Sequence, residues 1–402
     1  MKRVLTTALT LILILSFFSL PAGGQSTTQS APAKTEAHVS PGDAALWRRA
    51  LAIHRSSIVV DTHNDILSFM TDDNYDIGTS SVGKYHTDLA RMKQGGLTAE
   101  FFSVYIDRKY ATEGGSARRA LDMIDYVYRA IEQHPRELMF ATSTADIRRA
   151  KAQGKIAALM GIEGGHAIED SLMALRDFHR LGVRYMTLTH NNTNNWADAC
   201  CDAAKHNGLS DFGKEVIREM NRIGMLIDIS HVSTNTMNAA LDISRAPIIA
   251  SHSSAFAIPQ HARNIPDDIL LRLKQNRGVV MINFYSGFIM AEGARVMRDM
   301  FEVSRQLREK FPDEKEHSAA LKLWNKEHPM PSGTVKDLVD HIDYIVKIAG
   351  IDHVGLGSDY DGVETLPTDL PDVSCYPVIT QELLNRGYTA HQIRKILGEN
   401  LL

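Results

Sequence analysis

Continuous apolar runs recur along the chain from Ile58 onward, separated by stretches with a different rhythm. The runs are "SIVVD" ending at Asp61, "TAEFFSVYI", "KIAALMGIE", "VRYMTLTH", "GMLIDISH", "APIIASH", "GVVMINFY" and "HVGLGSDYD". They are apolar on both faces, as expected of strands covered on both sides. Between them, "SARRALDMIDYVYRAIEQH" and "KDLVDHIDYIVKIAG" space apolar residues three and four apart, the signature of a helix with one buried stripe. Eight such alternations predict parallel βα units closed into an α/β (β/α)8 TIM barrel. An open doubly wound sheet fits less well, because no GxGxxG follows the first strand.

The ends of these runs carry the chemistry. The first is followed by His63 and Asp65; the third ends at Glu163, the fourth at His190, the fifth at His231, the sixth at His252, and the eighth holds Asp359. In a barrel the C-terminal strand ends share one face, so these residues meet. His63 and Asp65, two positions apart on an extended segment, point the same way, and Asp61 and Asn64 read as groups that hold the loop. One histidine at a strand end is ordinarily a structural hydrogen-bonder. Gathering this many ionisable groups without a cation would cost several kcal/mol per charge, which makes a metal centre the economical reading.

Histidine and carboxylate without thiolate suit zinc or a similar divalent ion. If one carboxylate bridges, two ions share the set: His63, Asp65 and Glu163 on one, Glu163, His231 and His252 on the other. Such a centre holds hydroxide near neutral pH and attracts a carbonyl oxygen.

Residues 290–333 are charged with helical apolar spacing and read as a helical insertion after the seventh strand, either a roof over the cleft or a solvated decoration or oligomer contact. Residues 1–24 have the form of a signal peptide, with Lys2 and Arg3 before an apolar run. Residues 25–42 read as a flexible linker, which leaves 43–402 for the barrel. Losing the leader takes the formal charge from −4 to −6. That balance asks for no nucleic acid partner, and no second apolar stretch suggests a stable membrane anchor after cleavage. Three cysteines exclude a disulfide framework, and adjacent Cys200 and Cys201 read as free or partly buried thiols because no CxxC spacing exists, with a metal or redox site as the alternative.

The stretches "DTHNDIL", "GIEGGHAIEDSL", "RYMTLTHNNTNNWAD", "LIDISHVS", "APIIASHSSAFAI", "RNIPDD", "MINFY" and "GLGSDYDGV" resemble, in order, the membrane (renal) dipeptidases, zinc metallopeptidases of family M19 within the amidohydrolase-like barrels. The resemblance implies two zinc ions per subunit on His63, Asp65, Glu163, His231 and His252, with Glu163 bridging. It implies that His190 donates to the substrate carbonyl oxygen, that Arg263 clamps the C-terminal carboxylate, and that Asp359 passes a proton from the bridging hydroxide's water to the leaving amine. Dipeptides are the implied substrates, including those with a C-terminal D-residue, and a homodimer is allowed. Mammalian members carry disulfides and a lipid anchor for which this chain has no counterpart, so a bacterial periplasmic or secreted member is expected.

His54, His86, His166, His179 and His206 are expected to be structural, Trp196 to pack, and Ser233 to cap a helix. Two rival readings are an N-acyl-amino-acid deacylase, whose relatives usually open with His-x-His where this chain has His-x-Asp, and a non-catalytic exported binding protein.

Overall fold

A computed structural model describes residues 43–311 and 313–402; the expected leader and linker lie outside the described residues. The barrel strands are β1 Val60–Asn64, β2 Ala99–Tyr105, β3 Ile156–Glu163, β4 Val183–Thr187, β5 Leu226–Asp228, β6 Ile249–Ala250, β7 Val279–Ile282 and β8 Val354–Leu356. Each pairs in parallel with the next. The ring closes where Asp359 N–H donates to His63 O at 3.0 Å and Asp65 N–H donates to Tyr360 O at 2.9 Å. The eight apolar runs are therefore the eight staves of a (β/α)8 barrel.

The ladders are shorter than the runs. Only Leu226–Asp228 of "GMLIDISH" and Ile249–Ala250 of "APIIASH" are strand. Beyond them Asp228 takes over: Oδ1 accepts from Ser230 N–H at 3.0 Å and Ser251 N–H at 2.8 Å, and Oδ2 accepts from Thr187 Oγ1 at 2.5 Å and Ser251 Oγ at 2.6 Å. Asp61 does the same at the seam. It accepts from His63 N–H at 3.2 Å, Ser358 N–H at 2.8 Å, and the hydroxyls of Ser358 and Tyr376. Two buried carboxylates thus replace ladder bonds where the strands splay, satisfying backbone donors that water cannot reach.

Inside the barrel, alternate residues Ala99, Phe101, Ala157, Leu159, Tyr185 and Met281 belong to one buried cluster, while a larger cluster fills the layer between strands and helices. The spacing in helix Ser116–Gln133 explains that layer: Ala120, Met123, Ile124, Val127 and Ala130 form its buried stripe. A short outer strand, Leu138–Phe140, pairs in parallel with β3 and was not foreseen; three residues are too few to show a period.

Residues 290–333 hold two packed helices, Ala291–Lys310 and Glu314–Glu327, before helix Val335–Ile348. Among the described residues no helix is long and apolar enough to cross a membrane.

Candidate metal centre

Glu163, the last residue of β3, stands at the middle of the barrel mouth. Its Oε1 lies 2.9 Å from His231 Nε2 and 3.3 Å from His252 Nε2, and its Oε2 lies 3.4 Å from His63 Nε2. Asp65 Oδ2 is 3.3 Å from His63 Nε2. Three overlapping groups have ligand atoms within 4.8 Å of one another: His63, Glu163 and His252; Glu163, His190 and His231; His63, Asp65 and Asp359. All the residues singled out at strand ends therefore converge, and Asp359 and His190 stand as near to the set as the five expected ligands.

The hydrogen-bond network fixes which ring nitrogen of each histidine is bare. Tyr185 Oη donates to Thr62 O at 3.0 Å, so its contact with His63 Nδ1 at 2.9 Å is one in which the ring N–H donates. Ser251 Oγ gives its proton to Asp228, so it too must accept from His252 Nδ1–H at 2.8 Å. His231 Nδ1–H donates to Asn191 Oδ1 at 2.9 Å. Each ring, once neutral, is left with its lone pair on Nε2, and all three Nε2 atoms face Glu163. His231 Nε2 and His252 Nε2 are 3.0 Å apart with no proton to share, and His63 Nε2 has no hydrogen-bond partner. Lone pairs and carboxylates gathered out of water repel one another unless a cation sits among them, and a ring N–H anchored on oxygen is how metal-binding imidazoles are held. The donor set fits zinc: neutral imidazoles and carboxylates at one end of an open cavity.

Electrostatics agree for His231 and His252; His63 is instead held well above its ordinary range, its burial overcome by Tyr185, Glu163 and Asp65, as carboxylates gathered with no cation among them would do. Burial, then the Arg263 charge, holds His231 well below its ordinary range; burial, then His63, does the same to His252. Both stay neutral and able to ligate. Burial pushes Asp359 up to about 8, with Asp65 and Glu163 adding to the rise. Asn283 Nδ2 donates to Asp359 Oδ2 at 2.7 Å, which leaves Oδ1 free. His231 and Asp359 both sit in the left-handed region, at φ 66° and 65°, where side chains other than glycine are uncommon. Space is equally constrained. A Cβ on Gly161 would fall 2.0 Å from the Tyr185 ring, and one on Gly362 would fall 2.3 Å from Asp65 Oδ2.

Above the cluster lies a cavity of about 690 Å³ lined by Asp65, Glu163, His190, His231, Arg263 and Asp359 on one side. Val296, Met297, Met300 and Phe301 of the inserted helix Ala291–Lys310 line the other, so the insertion walls the cleft. Arg263 is 2% exposed, donates to Ser253 Oγ and His252 O at 3.2 Å each, and keeps an unpartnered Nε. His190 stands edge-on to Tyr105, with ring centroids 4.8 Å apart, and is held neutral by burial.

Other expectations have structural counterparts. His54 bridges Thr380 Oγ1 and Gly95 O, His86 Nδ1 accepts from Asp361 N–H, Trp196 is fully buried, and Ser233 caps helix Thr234–Ile243. His166 is less settled in its surroundings, for its buried Nδ1 has no partner. Asn64 holds the loop, accepting from Ile66 N–H at 3.0 Å. The residues that sequence reasoning missed are the holders of the ligands: Tyr185, Asn191, Asp228, Ser251 and Asn283. Their one signal was Asp228, a carboxylate inside the otherwise apolar run "GMLIDISH".

A family model described as membrane dipeptidase (peptidase family M19) matches residues 47–402. Solved structures with the same fold include the probable dipeptidase PvdM from Pseudomonas aeruginosa, at 25% identity and a TM-score of 0.77, covering 89% of this chain and 96% of that one. A dipeptidase AC, a metallopeptidase of family M19, matches at 24% identity and a TM-score of 0.71 over 86% of this chain and 97% of its own. A metallopeptidase from Rhodobacter sphaeroides, liganded with a phosphinate mimic of the dipeptide L-Ala-D-Ala, matches at 24% identity and a TM-score of 0.70 over 86% and 98%.

Proposed function

The chain belongs to the membrane dipeptidase family and is a metallodipeptidase; from that premise we propose that it hydrolyses dipeptides at a two-zinc centre bridged by Glu163. The observation that carries this reading is the split of one carboxylate between two sets of bare imidazole nitrogens, Oε1 toward His231 and His252, Oε2 toward His63. His63 and Asp65 would complete one site with Glu163, and His231 and His252 the other. Zinc bound there supplies a hydroxide nucleophile near neutral pH and polarises the scissile carbonyl.

The protein's own groups do the rest. Arg263, buried with donors to spare, binds the substrate's C-terminal carboxylate as a charge-assisted pair. His190 donates to the carbonyl oxygen as negative charge develops on it. Asp359 takes the proton of the attacking water on its free Oδ1 and returns it to the leaving amine; a carboxyl raised toward neutrality can both accept and release it. A cavity of about 690 Å³ takes two residues with their side chains. The dipeptide mimic bound by the Rhodobacter sphaeroides enzyme supports a substrate range that includes a C-terminal D-residue.

Zinc-loaded protein assayed on L-L and L-D dipeptides, tripeptides and N-acyl amino acids tests the proposal. Dipeptides of both kinds should be cleaved and tripeptides spared. Cleavage of N-acyl amino acids with dipeptides untouched would make the chain a deacylase instead. We also read the chain as exported; the N-terminus of protein recovered from cells should begin near residue 25, and an intact Met1 refutes export by leader cleavage.

A further inference from the structure

Two thiols sit side by side on the rim of the cavity, and peptide hydrolysis uses neither. Cys200 and Cys201 lie in the loop after β4 with their Sγ atoms 2.8 Å apart. Cys201 is exposed and shares the cavity lining with His190, Asn191 and Arg263. The loop that carries them is tied to the metal centre. Cys200 N–H donates to His231 O at 2.7 Å, and Ala199 and Val232 form an antiparallel bridge on either side of that bond. Thr193 pins the same turn, accepting from Ala199 N–H at 3.1 Å and donating its own N–H to Asp202 Oδ2 at 2.8 Å. Asn191, at the start of the loop, accepts the Nδ1 proton of His231. His231 is thus held at both its backbone and its ring by the segment that bears the thiols.

We propose that Cys200 and Cys201 form a reversible thiol–disulfide site, oxidised by a low-molecular-weight disulfide, whose state alters how firmly His231 is held. The Cys201 sulfur, the exposed one, attacks one sulfur of the small disulfide. That S–S bond breaks, and one small thiol leaves carrying the Cys201 proton. The Cys200 sulfur then attacks Cys201 Sγ, the Cys200–Cys201 bond forms, and the second small thiol leaves with the Cys200 proton. The protein loses two electrons and two protons, and the small disulfide gains both. A ring between neighbouring residues is strained and therefore readily reduced, so the step runs in both directions. Cys201's thiol is held below its ordinary range by the hydrogen bond from Cys200, then opposed by burial, which favours it as the attacking sulfur. Cys375 is buried and serves as the internal standard.

The test uses the zinc-loaded chain and oxidised glutathione. After treatment, the count of titratable thiols under denaturing conditions should fall from three to one, and the mass should drop by two hydrogens with no glutathione retained. Cys200→Ser should instead keep one glutathione on Cys201. Oxidation should change the rate at which a chelator removes zinc several-fold, and reductant should reverse it; the C200S/C201S double variant should not respond. Three thiols surviving, glutathione persisting on the unsubstituted protein, or an unchanged zinc-release rate once the disulfide has formed would each overturn the proposal. None of these readouts requires dipeptide turnover, so a failed peptidase assay leaves the thiol result standing by itself.

Discussion

The floor and the wall of the cavity are built on opposite plans. On the floor His63, His252, Asp61 and Asp228 are fully buried, and they are joined to strands far away in sequence; Asp61 and Ser358 are 297 residues apart. On the wall, the helix Ala291–Lys310 carries exposed pairs within single turns, such as Arg295 with Glu292 and Asp299, and Arg305 with Glu302. The floor is one connected set of charges and protons, in which the loss of one group leaves another stranded. The wall is a set of local, solvent-screened contacts that substitutions can alter one at a time. Chemistry needs the first plan, and the choice of side chain tolerates the second.

Substitutions ranked by size test this contrast. Glu163→Gln should reduce activity to background and lower the zinc content below two per chain; metal analysis returning two would refute the bridge. Asp359→Asn should keep both metals and lower kcat by about 10²–10⁴-fold, the usual worth of a positioned proton carrier. If kcat holds while KM rises, Asp359 binds substrate and moves no proton. Asp228→Asn touches no ligand position directly, yet should weaken zinc binding by about 10–100-fold because His252 loses its fixed tautomer. Unchanged affinity in a chelator competition would show that the floor is less connected than its hydrogen bonds imply.

Buried histidines away from the centre give a smaller, pH-dependent effect. His54 and His341 are pulled down to about 4 by burial, and both nitrogens of each are engaged. The unfolded chain takes up these protons below its ordinary value of about 6.5, whereas the folded chain resists until about 4. Their contribution is therefore complete above pH 6.5 and is lost as the pH falls through that window, by about 1.4 kcal/mol per pH unit for each group. Melting curves between pH 7 and 4.5 should show the decline, and His341→Gln should make it shallower. Smallest of all, Arg305→Ala should leave stability within about 0.5 kcal/mol and kcat unaltered, as expected of an exposed pair within one helical turn; a larger change in denaturant titration would mean that the wall is more than local.

What could be read from the sequence follows the same division. The eight barrel strands and the ionisable groups at their ends were legible because both faces of each strand are apolar and the change to His, Asp or Glu is abrupt. The holders were not. Tyr185 and Ser251 look like ordinary strand residues, and their role exists only because Thr62 O and Asp228 take up their hydroxyl protons. Strand length was over-read for the same reason, since an apolar run does not reveal that Asp228 replaces the ladder after three residues. The outer strand Leu138–Phe140 was missed because pairing to β3, more than its own pattern, makes it a strand.

The seam between β1 and β8 has a consequence for biosynthesis. His63 and Asp65 are made early and Asp359 late, and the bonds that bring them together, Asp359 N–H to His63 O and Asp65 N–H to Tyr360 O, are the ones that close the ring. A nascent chain lacking its last stave has no assembled catalytic centre, and contacts this distant in sequence form slowly. The site is therefore complete only when the last stave has joined the first.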